Sequence, residues 1–155
     1  MNQKLSNKNV GKVKILLVED DPYAVQLYRD VFATETDYQF EVINSLENIE
    51  KDLEKIKKIN PDVILLDLIL PLHPNGEKGE KGGYILDKEL GFQVLERIKK
   101  DSEIKKIPVI IISSLSDPGD KDRAQALGVE KYLVKSEIIP FQIVEAVNEA
   151  LGVSL

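Results

Sequence analysis

Pro61-Asp62-Val63-Ile64-Leu65-Leu66-Asp67-Leu68-Ile69-Leu70-Pro71 is the stretch that decides the fold. Val63 to Leu66 are four consecutive branched aliphatics with no polar alternation. They read as a strand covered on both faces, the pattern of a parallel sheet. Asn60-Pro61 ends the helix that precedes them. Asp67 then interrupts an otherwise apolar run from Val63 to Leu70, and is hard to explain as a solvated surface acid.

Working outward, two further runs have the same character: Ile15-Leu16-Leu17-Val18 and Val109-Ile110-Ile111-Ile112. Weaker strands are expected at Phe40-Glu41-Val42-Ile43 and Tyr132-Leu133-Val134. Apolar residues at helical spacing separate them. The stripes are Ala24, Leu27, Tyr28 and Val31; Leu46, Ile49, Leu53 and Ile56; Phe92, Leu95 and Ile98; and Ile143, Val147 and Leu151. Asp21-Pro22 and Asp117-Pro118 each supply a helix cap and a first-turn proline, with Asp120 near the third position of the second helix. Gly128, just past Leu127, suits a left-handed helix terminator. Strand and helix alternate five times, which predicts a doubly wound α/β sheet with helices on both faces.

The chain has 155 residues, 43% hydrophobic and 31% charged, which suits one soluble domain. A domain of that size buries roughly 68–70% of its unfolded surface and needs no covalent staples. With no cysteine and only one histidine, His73, disulfides, thiolate chemistry, multi-histidine metal sites and a serine–histidine triad are all disfavoured. The net charge of −6 argues against direct nucleic-acid binding, which rests on Lys and Arg contacts to phosphate. No apolar run is long enough to span a membrane, and Met1 to Lys12 lacks the apolar core of a secretory signal. A cytoplasmic protein is expected.

Two segments fall outside the strand–helix plan. Residues 1–11 read as a flexible tail, leaving 12–155 as the domain. A long inserted loop is expected at 72–90, containing Gly76-Glu77-Lys78-Gly79-Glu80-Lys81-Gly82-Gly83. Its glycines do not make a phosphate loop, because neither Gly-Lys-Ser/Thr nor a Gly-x-Gly-x-x-Gly after a strand is present.

Open parallel sheets bind ligands beyond the carboxyl ends of their strands. The residues there are Glu19-Asp20-Asp21, Asp67, Ser113-Ser114 and Lys135. Singly, each has a plain reading: Asp21 a helix cap, Glu19 and Asp20 solvated loop acids, Lys135 a solvated lysine, Ser113 a partner for a backbone group. Together they do not. Two carboxylates about 4 Å apart repel by ~4 kcal/mol at an effective dielectric constant of about 20. A cluster of Glu19, Asp20 and Asp67 is a poor structural device without a cation. Oxygen ligation alone suits a hard ion, Mg²⁺ before Ca²⁺ or Zn²⁺. Magnesium is normally shared with a phosphate, so phosphoryl chemistry is expected, with Lys135 and Ser113 on the phosphoryl oxygens. Aspartate can itself accept the phosphoryl group as an acyl phosphate.

These residues resemble the receiver domain of two-component response regulators. The resemblance is carried by Ile15-Leu16-Leu17-Val18-Glu19-Asp20-Asp21, Leu65-Leu66-Asp67-Leu68-Ile69-Leu70-Pro71, Pro108-Val109-Ile110-Ile111-Ile112-Ser113-Ser114 and Lys131-Tyr132-Leu133-Val134-Lys135, in the family's order. It implies a flavodoxin-like (βα)5 sheet with strand order 2-1-3-4-5. It also implies Asp67 as phosphoacceptor, Asp20 as direct Mg²⁺ ligand, Glu19 acting through water, and the Ile69 main-chain carbonyl as a further ligand. Ser113 matches the switch hydroxyl, Tyr132 the switch aromatic and Lys135 the phosphate-contacting lysine. The sequence departs from the family twice. Ser136 follows Lys135 where the family usually has proline, often after a cis bond, and the insertion delays the family's glycine to Gly91.

The resemblance implies a stand-alone receiver, phosphorylated by a sensor histidine kinase or histidine phosphotransfer protein. No effector segment is expected beyond Leu155, so output is expected through protein contact, on a face running from Ala124 through Tyr132 to Ile143, with homodimerisation open to it. Such a chain catalyses its own phosphotransfer and dephosphorylation without being a dedicated enzyme. The alternatives are a phosphorylation-independent binding module and, less favoured, a Mg²⁺-dependent phosphatase. The last expects Asp-x-Asp after the first strand, where Glu19-Asp20-Asp21 stands instead.

Overall fold

The structure, a computed structural model, describes residues 11–72 and 85–153. Within them run β1 (Lys14–Val18), α1 (Pro22–Glu35), β2 (Gln39–Ile43), α2 (Ile49–Ile59), β3 (Val63–Leu66), β4 (Leu70–Leu72), β5 (Ile85–Asp87), α3 (Lys88–Lys100), β6 (Val109–Ser113), α4 (Pro118–Ala126), β7 (Lys131–Val134) and α5 (Pro140–Leu151). The main sheet is parallel, in the order β2-β1-β3-β6-β7. Counting only its five strands, that is the expected 2-1-3-4-5.

The aliphatic runs lack alternation because both faces of the sheet are covered. Leu16, Val18, Ile64, Leu66, Val109 and Ile111 point into one core, with Leu53, Ile56, Leu95 and Ile98 of α2 and α3. Ile15, Leu17, Val63, Leu65, Ile110 and Ile112 point into the other, with Tyr28 and Phe32 of α1 and Ile143 and Val147 of α5. β1, β3 and β6 therefore each supply alternate residues to two buried layers.

The punctuation behaves as the residues dictate. Asp21 Oδ1 accepts from the Tyr23 N–H at 3.0 Å, and Asp117 Oδ1 from the Gly119 N–H at 2.8 Å, capping α1 and α4. Asn60 closes α2 with φ 50°, and Gly128 follows α4 with φ 90°, a left-handed value that favours glycine.

Several expectations need correction. Leu27 is 51% exposed; the buried face of α1 is Ala24, Tyr28 and Phe32, four residues apart, and Leu27 lies off that line. Leu46 is buried but lies before α2, whose cap is Asn48, accepting from the Lys51 N–H. The connection after Asp67 is not loop throughout. β4 and β5 pair antiparallel, Leu70 with Asp87 and Leu72 with Ile85, and α3 already begins at Lys88. The insertion thus leaves from a short ribbon that hands the chain directly to a helix. Of the expected tail at residues 1–11, residues 1–10 lie outside the described residues, as do His73 and the Gly76–Gly83 repeat.

Candidate functional site

Strand alternation explains which side chains meet at the carboxyl edge of the sheet. Leu17, Leu65 and Leu133 share one core, and two residues further along their strands come Glu19, Asp67 and Lys135. Ser113, two residues beyond Ile111, and Tyr132 belong to the opposite face. Backbone ladder bonds fix the height of each group. The Asp67 N–H donates to Val18 O at 3.0 Å, and the Glu19 N–H donates to Ile43 O at 3.1 Å. Asp67 is thereby held one residue beyond the point where β3 pairs with β1.

Glu19 and Asp67 are buried and Asp20 is half-buried. Each offers one carboxylate oxygen, and these oxygens lie within 4.8 Å of one another. Lys135 Nζ reaches between two of them, 3.0 Å from Asp67 Oδ2 and 3.1 and 3.2 Å from the two oxygens of Glu19. Its ammonium is the counter-charge that the acids require, a role the sequence reading assigned wholly to a metal. Asp67 Oδ1 accepts from the Ile69 N–H at 3.0 Å, which fixes the carboxylate plane and turns the chain tightly after the acceptor.

This crowding shifts the titrations. Burial, with the Asp67 carboxylate behind it, outweighs Lys135 and pushes Glu19 up to about 8. Burial also raises Asp20 above the usual aspartate range. Burial alone would lower Lys135, but the Asp67 and Glu19 charges outweigh it and hold the ammonium well above its ordinary value.

Ser113 is fully buried, and its Oγ accepts from the Leu115 N–H at 3.2 Å. The Tyr132 hydroxyl donates to Leu115 O at 2.9 Å. The two candidate switch side chains therefore hold the N–H and carbonyl of one residue. No sequence feature marks Leu115 for this. After β7 the chain turns as one 3-10 turn, Lys135–Glu137, and no cis peptide occurs among the described residues, so Lys135–Ser136 is trans.

Gly91 has a positional reason. A Cβ there would stand 2.1 Å from Leu68 O and 2.5 Å from Leu68 Cα. Only glycine lets α3 press on the loop that carries Asp67; in the sequence Gly91 is marked by the resemblance alone, and its packing reason is visible only in the fold. On the expected output side, Ala124 and Ile143 are buried and Tyr132 is half-buried; Ile139 and Phe141, at the start of α5, are exposed.

The donor set fits a hard divalent ion: three carboxylate oxygens close together, with no nitrogen or sulfur ligand among the described residues of the cluster. No protein-family model matches the chain. The polar-differentiation response regulator DivK of Brucella ovis is 27% identical over 138 residues, covering 89% of this chain and 95% of DivK. A signal receiver domain from Clostridium thermocellum superposes with TM-score 0.70 at 20% identity, covering 91% of this chain and 98% of that one. The receiver domain of a Pseudomonas aeruginosa PAO1 sensor histidine kinase, with magnesium coordinated in its active-site cleft, superposes with TM-score 0.68 at 19% identity, covering 92% and 99%. The acid cluster and lysine at the carboxyl edge of a 2-1-3-4-5 sheet thus belong to a chain that is similar in sequence to a response regulator and in fold to receiver domains of two-component signalling.

Proposed function

We propose that the chain accepts a phosphoryl group on Asp67, in a Mg²⁺-dependent transfer from a sensor histidine kinase or a histidine phosphotransfer protein. The observation that carries this reading is the meeting of Glu19, Asp20, Asp67 and Lys135 within hydrogen-bond and ligation distances. An Asp67 oxygen forms the new bond to phosphorus as the donor's N–P bond breaks, and the imidazole leaves with that electron pair and takes up a proton. Lys135, already on Asp67 Oδ2, is positioned to take a phosphoryl oxygen. Ser113 Oγ can exchange the Leu115 N–H for a second phosphoryl oxygen, leaving Tyr132 to follow the Leu115 carbonyl. Asp20 and Asp67 would hold Mg²⁺ directly, with Glu19 through water and the Ile69 carbonyl as further ligands. When bound, the ion neutralises charge on the acceptor and on the transferring group.

Phosphorylation then shifts an existing equilibrium between loop states rather than building a new one. The output is contact with a protein partner in the cytoplasm, through the side formed by α4, β7 and α5. Ile139 is 63% exposed there and Phe141 37%, apolar area that a protein partner or a second copy would bury. The formal charge of −6 disfavours a nucleic-acid partner.

Reaction with acetyl phosphate and Mg²⁺, followed by borohydride reduction and peptide mapping, tests the assignment. An acyl phosphate at Asp67 is reduced to homoserine at position 67. Reduction at any other acid would remove Asp67 from the role.

A further inference from the structure

Two ion pairs join the root of the insertion to α4. Lys88 and Glu89 are the first residues of α3 and follow directly on Asp87, the last residue of the ribbon. Lys88 Nζ lies 3.1 Å from Asp120 Oδ1, and Asp120 is buried. Arg123, one turn further along α4, makes two parallel bonds to Glu89, at 2.7 and 2.9 Å. Its guanidinium also lies 4.0 Å from the ring centroid of fully buried Phe92.

Exposed ion pairs are usually worth little. This pair of pairs is built differently. One acid is buried, and the arginine is bidentate and lies over an aromatic ring, three features that restrict the geometry more than a simple exposed pair does. Its two ends matter as well. On one side, Asp87 is paired with Leu70, three residues after Asp67. On the other, α4 starts shortly after Ser113 and Leu115, whose positions set the Tyr132 contact.

We propose that Lys88–Asp120 and Glu89–Arg123 form a latch through which the β4–β5 ribbon restrains α4 and the Ser113–Leu115 loop. The ribbon becomes a second input to the switch: displacing it loosens α4 from outside the phosphorylation site. The switch role of α4 rests on the receiver reading above, whereas the mechanical coupling does not.

Amide hydrogen exchange on the full chain, without phosphoryl donor, tests the coupling by itself. In a Lys88→Met/Arg123→Met variant, amides between Ser114 and Ala126 should exchange about five- to tenfold faster, the scale expected for local opening of a released element. Arg97→Met, which breaks the pair with Glu50 on the far part of α3, should leave those amides unchanged. Ile85→Pro, or Ile85→Gly where proline prevents folding, should also speed exchange in 114–126 in the parent. In the latch-free background it should add nothing. Unchanged exchange in 114–126 on removing the latch, an equal change from Arg97→Met, or a ribbon effect that persists without the latch would each overturn the proposal. If the coupling appears but acetyl phosphate labels neither protein, the latch stands and the phosphoacceptor reading fails.

Discussion

Lys135 and Asp67 meet at 3.0 Å at the carboxyl edge of the sheet, and the same ammonium serves both oxygens of Glu19. One cation thus balances two buried acids. Lys135→Met would leave Glu19 and Asp67 facing each other without a counter-charge. The expected loss is about 2–3 kcal/mol at pH 8, below the range for a fully buried pair because Lys135 is partly exposed. The loss should shrink toward pH 5, where Glu19 holds its proton, and Mg²⁺ should restore part of it. Chemical denaturation at both pH values, with and without Mg²⁺, measures this; equal losses at both would contradict the account.

Glu19 also sets a pH dependence. Its folded value is raised from 4.5 to about 8, so the folded chain holds this proton more tightly than the unfolded chain. The resulting stabilisation is complete below about pH 4.5 and is lost as pH rises through about 8. In metal-free protein the loss should be on the order of 5 kcal/mol, each pKa unit being worth about 1.4 kcal/mol. Glu19→Gln removes this titration, so its stability relative to the parent should climb across that interval. A parent and variant that run parallel from pH 4.5 to 8 would refute the assignment.

Gly91→Ala tests the close approach of α3 to Leu68. The new methyl would collide with backbone rather than with a movable side chain. A loss of about 2–3 kcal/mol is expected, with displacement of the Asp67 loop and weaker Mg²⁺ binding. A variant with parental melting and metal affinity would show that the contact is dispensable.

Asp52 is a buried acid away from the site. Its Oδ1 accepts from the Glu47 N–H at 3.3 Å, but Oδ2 has no partner and adjoins a small apolar cavity lined by Val18, Ile43, Leu46 and Val94. Burial raises its titration above the usual aspartate value, so its charge costs stability as pH rises past that range. Asp52→Asn should be nearly neutral at pH 4 and stabilising by ~1 kcal/mol at pH 8. Thermal melts at the two pH values decide it, and destabilisation at pH 8 would be the contrary result.

Most of this architecture is legible in the sequence because the central strands β1, β3 and β6 are buried on both faces and α1, α2 and α4 carry their own side-chain caps. Val63–Leu66 and Val109–Ile112 could be little else, and Asp21 and Asp117 cap the helices they precede. The gathering of Glu19, Asp20, Asp67 and Lys135 is legible for the same reason: topology sends every strand end to one edge. What escaped depends on tertiary partners. The β4–β5 ribbon has three residues per strand and a proline in one, too little for a periodic signal. Leu46 keeps helical spacing but lies outside α2, because Asn48 offers the better cap. The pairing of Lys88 with Asp120 spans two helices, and spacing within either one cannot show it.

The central claim is that Asp67 accepts a phosphoryl group with the help of a divalent ion. The direct measurement is the intact mass of the chain after incubation with acetyl phosphate and Mg²⁺, beside the same reaction in EDTA and an Asp67→Asn variant. The account predicts one added phosphoryl group, dependent on Mg²⁺ and absent from the variant. No addition to a protein that is folded by circular dichroism, or equal addition to Asp67→Asn, would contradict it.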